Sequence, residues 1–342
     1  MARDNRIDSL KGLLIILVIM GHFITSMNNV NIVNHAVMGL IYIFHMPLFI
    51  LISGYFTKSP EQQTAREMWH SALNLAITLM VFQLLNCLWV IYAGRDFVEA
   101  MKAFPYGVLW YLLSLIYWRI ILFYTPKALL RKPWLYLAIA LVLSLLSGMT
   151  HLGKFLSFQR TLNFYIFFLM GYYYRHGALG TRWWKNNVLH AATVVVLLPL
   201  IFWLYPRCGN VMNGADYYGL SGLPEKAMIL TCSIAMSLLV FNIARDWKPL
   251  RAIGKDSLFY YLYHMFIISM VFIPLVRDHG WPSTFPFIVL YTAVTLAVLN
   301  VMNHIPFFKW LIHPTLKKRP RENGEDHRAG CGGGSPAGLR GA

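Results

Sequence analysis

The sequence predicts an all-α protein, a polytopic transmembrane helical bundle of about ten helices with both termini cytoplasmic. Three observations predict it. Of 342 residues, 57% are hydrophobic and only 13% charged, whereas soluble domains carry about 25% charged residues. Apolar stretches long enough to cross a bilayer recur along nearly the whole chain. Lys and Arg between those stretches are distributed with a strong bias.

The elements follow in order. No Asp, Glu, Lys or Arg occurs from Gly12 to Thr57. That interval holds two spans of about 20 residues each, 10–28 and 36–56, separated by the polar turn NNVNIVNH. The first apolar stretch is long for a signal sequence and lacks a small-residue cleavage site at its exit, so it is expected to be retained as a helix. The same test places helices at 71–93, 104–124, 133–150, 161–175, 187–206, 226–244, 257–276 and 284–304. The fourth contains Arg119, and the sixth is short. Beyond Pro314 the chain turns polar and Gly-rich, which predicts a membrane domain over 1–314 and a disordered cytoplasmic tail over 315–342.

With the N-terminus inside, 23 of the 30 Lys and Arg residues fall in inner segments and 7 in outer ones. The positive-inside rule therefore agrees with an even helix count. Much of the formal charge of +16 is a topological signal, and a nucleic-acid partner is not expected. Cys87, Cys208, Cys232 and Cys331 lie far apart with no CxxC pair, which argues against a disulfide framework or a metal cluster.

Ionisable groups inside the apolar spans are the candidates for function, because burial in hydrocarbon is costly unless they are paired or face a cavity. Three histidines qualify. His22 lies about 18 Å along the first helix from Leu10, His45 about 14 Å along the second from Ala36, and His264 about 11 Å along the ninth from Ser257. All three fall in the central region of a core about 30 Å thick. Imidazole titrates closest to neutrality, and a neutral ring can take the proton of an attacking hydroxyl. Each histidine can equally serve only to bond a neighbouring helix.

The first helix opens RIDSLKGLLIILVIMGH, with Arg6, Asp8 and Lys11 at its inner end. Lys11 and His22 are eleven residues apart and so lie within about 20° of one helix face. A cation at the boundary and a base deep in the membrane suit a donor with an anionic head, such as a CoA thioester. Lys11 and Arg6 fit ordinary snorkelling anchors equally well.

That opening, with FHMPLFILISGYF (Phe44 to Phe56) following it, resembles the acyltransferase family 3 membrane proteins, in particular the fucose 4-O-acetylase-like branch. VLWYLLSLIYWR (Val108 to Arg119), NFYIFFLMGYYYR (Asn163 to Arg175) and IGKDSLFYYLYHMF (Ile253 to Phe266) resemble further family segments in order. The resemblance implies a ten-helix core that uses cytoplasmic acyl-CoA, usually acetyl-CoA, to modify hydroxyls of sugars in surface glycans, lipid-linked oligosaccharides or antibiotics. It implies His22 as the catalytic histidine, matching a family pair of Arg, ten residues, then His. The arginine position is Lys11 here, a departure that keeps the charge and loses the planar fork. Arg6 and Lys11 are then expected near the CoA phosphates, with Asp8 orienting Lys11. Arg119 and Arg175 are further donor-side candidates. His45 and His264 match recurrent family histidines.

Ser53, in LISGYF, lacks a GxSxG elbow, and small residues in membrane helices usually serve close packing. The acidic residues lie mostly in loops, which weakens an ion-coupled transporter. Arg160, Arg207, Lys226 and Arg277, with Trp203, Tyr217, Tyr218 and Trp281, could line an acceptor site on the outer side, although aromatics and cations at that level more often form the interfacial belt, the reading favoured here. The sequence thus points to an O-acyltransferase of a bacterial cytoplasmic membrane, with acyl-CoA, a glycan or lipid-linked sugar and membrane lipids as partners and no metal. A glycan or lipid flippase without acyl transfer is the rival reading, and an inactive membrane subunit a third.

Overall fold

The computed structural model describes residues 4–27, 32–94, 104–149, 155–179, 181–213 and 219–312. The tail expected over 315–342 lies outside these residues. Ten long helices stand at the ten expected positions, and no β-strand occurs among the described residues. They are α1 (Asn5–Ser26), α2 (Ile32–Tyr55), α3 (Ala65–Tyr92), α4 (Trp110–Tyr124), α5 (Pro133–Leu146), α6 (Phe158–Arg175), α7 (Asn187–Asn213) and α8 (Leu223–Ile243). A short helix α9 (Lys248–Lys255) precedes α10 (Ser257–His279) and α11 (Phe285–Asn303), and α12 (Pro306–Ile312) follows.

Seven of the ten are long and apolar enough to cross a membrane. Two more, over Pro133–Met149 and Asn187–Trp203, are apolar but shorter. The tenth, α6, carries four Tyr, one Asn, one Gln and two Arg, yet all but five of its 18 residues are buried. It runs through the middle of the protein, so its side chains answer to neighbouring helices rather than to lipid.

Several boundaries differ from expectation for identifiable reasons. Helix α1 starts at Asn5, where the Asp4 side chain accepts the Arg6 N–H at 3.0 Å. Helix α3 starts at Ala65 rather than 71, under a capping box formed by Thr64 and Glu67. The charges that excluded this turn from an apolar window are the ones that cap it. Ile32 to His35, expected as a turn, form the first turn of α2, and Asn34 donates to the Ser283 carbonyl at 3.2 Å.

Apolar lipid gives helices no hydrophobic reason to associate, so close packing holds them together. Two contacts are backbone on backbone. A methyl group on Gly54 would overlap the carbonyl oxygen of Phe168, and one on Gly171 that of Leu51, which locks α2 to α6. One on Gly12 would overlap the carbonyl oxygen of Leu250, and one on Gly254 that of Asp8, which locks α1 to α9. Helix α1 is apolar on every side and is enclosed, with Ile7, Leu14, Ile15, Ile19 and Phe23 at 1% exposure or less. Gly54→Val is expected to destabilise the protein by at least about 2 kcal/mol. Thermal unfolding in detergent would read this as a lowered Tm, with Val196→Ala on the exposed face of α7 as a near-neutral control.

Candidate active site

The site is assembled on α1. Ser9 donates to the Trp247 carbonyl and accepts the Trp247 N–H at 2.9 Å, which ties the start of α1 to the segment leading into α9. Beside it in the same turn, the Lys11 ammonium pairs with the buried Asp8 carboxylate at 2.8 Å. The expected orientation of Lys11 by Asp8 is therefore present as a contact. The i, i+3 spacing puts both groups on one face, and the close approach of Gly254 seals Asp8 from lipid.

Lys11 lines a mainly apolar cavity of about 230 Å³ together with Arg119, Ser53, Phe56, Tyr111 and Tyr261. The Lys11 ammonium lies 5.8 Å from the centre of the Phe56 ring, and Arg119 donates to the Ser71 hydroxyl at 3.0 Å. Ser53 donates to the Phe49 carbonyl at 2.9 Å and shares a 2.5 Å hydrogen bond with the Tyr111 hydroxyl. Its hydroxyl belongs to the wall of this chamber.

A second cavity, of about 390 Å³, lies further along α1 and is lined by His22, His45, Tyr42, Tyr106, Trp110, Ser157, Arg160 and Tyr261. His22 faces it. The His264 ring stands 5.2 Å from the His22 ring, tilted by 40°. The π-helical segment Ile268–Phe272 begins one turn after His264, a distortion often found at functional sites. His45 Nδ1 lies 2.7 Å from the Ile41 carbonyl and His264 Nδ1 lies 3.1 Å from the Tyr260 carbonyl. A carbonyl can only accept, so Nδ1 carries the proton in both rings and Nε2 keeps its lone pair when the ring is neutral. His264 Nε2 has no hydrogen-bond partner among the described residues, so an acceptor is available beside the His22 imidazole.

The two cavities share one side chain, Tyr261. Phe49 and Tyr111 pack on it with ring centres at 6.3 and 5.4 Å. The structure thus gathers Lys11, Arg119 and Ser53 in one chamber, and His22 and His45 in the next with His264 beside them. Arg6 and Arg175 line neither. Their guanidinium groups lie 5.3 Å from the Phe241 ring and 4.8 Å from the Tyr55 ring. Those two rings are neighbours, and Tyr55 in turn touches Phe56, so both arginines flank the aromatic end of α2 beside the Lys11 chamber.

Two cations expected in the interfacial belt lie elsewhere. Arg160 lines the His22 cavity. Lys226 is 3% exposed and donates to the Asn163 side-chain oxygen. Each sits in the first turn of its helix, close to the expected interface, and the helix's rotation turns it inward. Composition carries no record of that rotation. Trp203, Trp281 and Arg277 are exposed, as a belt requires. Tyr217 and Tyr218 fall outside the described residues. Trp110, Tyr42 and Tyr261 are further lining residues that sequence reasoning missed, although Trp110 and Tyr261 lie within the segments that carry the resemblance. Among the described residues no group of three His, Cys, Asp or Glu side chains could hold a metal ion.

Residues 4–302 match the model of the acyltransferase domain of family 3. The chain belongs to acyltransferase family 3. An 83-residue stretch is 37% identical to the nodulation protein NolL of Sinorhizobium fredii, covering 23% of this chain and 23% of that protein. The match therefore spans under a quarter of the relative's length. No solved structure matches significantly.

The Asp8–Lys11 pair is a local test of the site. Asp8→Ala leaves the mostly buried Lys11 ammonium without its counter-charge and is expected to cost about 3 kcal/mol. Asp8→Ala with Lys11→Met should recover most of that loss, as a double-mutant cycle followed by thermal unfolding would show.

Proposed function

We propose that this acyltransferase moves an acetyl group from cytoplasmic acetyl-CoA to a sugar hydroxyl of a cell-surface or lipid-linked glycan, in a bacterial cytoplasmic membrane. The observation that carries the reading is the pair of chambers joined at Tyr261, with a cation in the first and an imidazole facing the second. At 1.5 Å per residue, Lys11 and His22 are about 16 Å apart along α1. The mainly apolar Lys11 chamber suits the narrow pantetheine arm. Lys11, held by Asp8, and Arg119 would meet phosphate oxygens at its entrance, and Arg6 and Arg175 beside Tyr55 would meet the nucleotide end. Lysine in place of the family arginine supplies a point charge, with the bidentate contribution left to the arginines.

The chemistry then follows from His22. The acceptor hydroxyl oxygen attacks the thioester carbonyl carbon while a ring nitrogen of His22 takes its proton. The carbon–sulfur bond breaks as the tetrahedral centre collapses, and the imidazolium returns the proton to the departing sulfur. The products are the O-acetyl sugar and the CoA thiol. His264 is a positioning residue: its ring packs against that of His22 at 5.2 Å, and Tyr261 keeps water from the thioester.

The test uses purified protein in nanodiscs, labelled acetyl-CoA and membrane glycan extracts. His22→Ala is expected to lose at least about 100-fold in transfer with folding intact. Lys11→Met should raise KM for acetyl-CoA about ten-fold with a smaller effect on kcat, while Lys11→Arg retains activity. Normal transfer by His22→Ala would end the catalytic assignment. Glycan movement across the membrane without any acetylation would favour a flippase.

A further inference from the structure

The mouth of the His22 cavity is built from helix ends and carries chemistry that acyl transfer itself does not need. Arg160, in the first turn of α6, lines it with its guanidinium 5.0 Å from the centre of the Trp110 ring. Trp110, at the start of α4, stacks on Phe164 with ring centres 5.5 Å apart and planes at 28°. The indole is thereby fixed as a flat platform beside the cavity. Tyr42 and Tyr106 add two further aromatic rings to the lining.

Ser157, just before α6, is 1% exposed and lines the same cavity, yet its hydroxyl has no hydrogen-bond partner among the described residues. Buried hydroxyls are normally satisfied, so an orphan facing a cavity marks a place where a ligand atom belongs. The backbone at this point is strained as well. Leu156 and Ser157 both hold left-handed φ angles, 44° and 58°. Non-glycine residues rarely adopt such angles, and backbone strain of this kind clusters at active sites and ligand clamps.

Charge completes the pattern. The described residues lining the cavity include Arg160 and no carboxylate. A second cation stands behind the wall, since Tyr42 and Phe164 also border the small void that holds Lys226. About 390 Å³ accommodates one sugar ring with its acyl group rather than a string of sugars. His22 and Arg160 therefore face the same ring.

Resting on the acetyl-transfer reading above, we propose that Arg160, Trp110 and Ser157 form a subsite for an acidic sugar, whose anionic group sits on the ring that is acylated. The apolar face of the pyranose packs on the Trp110 indole. The planar guanidinium of Arg160 takes the anion, a carboxylate or a phosphate, and Ser157 donates to it or to a ring hydroxyl.

The experiment uses the full chain in nanodiscs and a probe panel of gluco, galacto and manno configuration. Each configuration is presented as the neutral phenyl glycoside, the phenyl hexuronide and the hexose 1-phosphate. Calorimetry reads binding, and labelled acetyl-CoA reads transfer to the same probes. At least one charged probe is expected to bind about ten-fold or more tightly than its neutral counterpart. The charged series that wins identifies the anion as carboxylate or phosphate. Arg160→Gln should erase this preference while neutral probes still bind, and Arg160→Lys should restore part of it. Trp110→Leu should weaken neutral and charged probes alike. Equal binding of charged and neutral probes, no binding of any charged probe, or a preference that survives in Arg160→Gln would overturn the subsite. Charged-probe binding with no acetyl transfer to any probe would instead sink the acetyl-transfer reading and leave the subsite standing.

Discussion

The contact of Gly54 and Gly171 with the carbonyl oxygens of the facing helix sets the distance between α2 and α6. Helix α2 carries His45, Phe49 and Ser53 on successive turns, and α6 carries Arg160 and Phe164. Together they place groups of both cavities. A bundle that gains nothing from burying apolar groups out of lipid has to gain its cohesion from van der Waals contact and hydrogen bonds, and glycine is what allows helices to come this near. The reciprocal contact of Gly12 and Gly254 does the same for α1 and α9, and it keeps Asp8 enclosed beside Lys11.

With the helices so fixed, many polar groups can be buried at little loss, because they find a partner at a defined place. Tyr111 meets Ser53, Trp118 meets the Thr161 carbonyl, and Ser144 and Lys226 both donate to Asn163. Among the described residues several buried polar atoms have no hydrogen-bond partner, and the hydroxyl of Ser157 and Nε2 of His264 are among them. Both stand at the His22 cavity or beside it. An interior that satisfies so many of its polar atoms leaves its remaining ones available for reactants.

The fold was almost wholly legible from hydrophobicity, since a span needs a run of apolar residues whatever surrounds it. Helix α6 shows why that signal is incomplete: its Tyr, Asn and Gln residues face protein, so its hydropathy understates its depth. The charged first turns of α1 and α3 were missed for a similar reason, because capping residues are polar by necessity. His22 and Lys11 were legible because both lie on one regular helix, where spacing fixes the face. Arg160 and Lys226 were not, because their direction depends on how α6 and α8 turn against their neighbours. Trp110 and Tyr261 were hidden among many aromatic residues of the same type, and only assembly distinguishes the rings that line a cavity from those that fill the core.

Tyr261 closes one chamber against the other, and Phe49 and Tyr111 brace it. A protein with an opening toward each end of its first helix comes close to being a pore, and a continuous wet path would let protons and small ions run down their gradients at the cell's expense. Three rings packed tilted and edge-to-face make an electrical insulator between the two cavities. On the proposed reading, transfer across a barrier then becomes compatible with keeping that barrier tight: a slender chain has only Tyr261 to pass, whereas a hydrated ion would have to shed its water to follow.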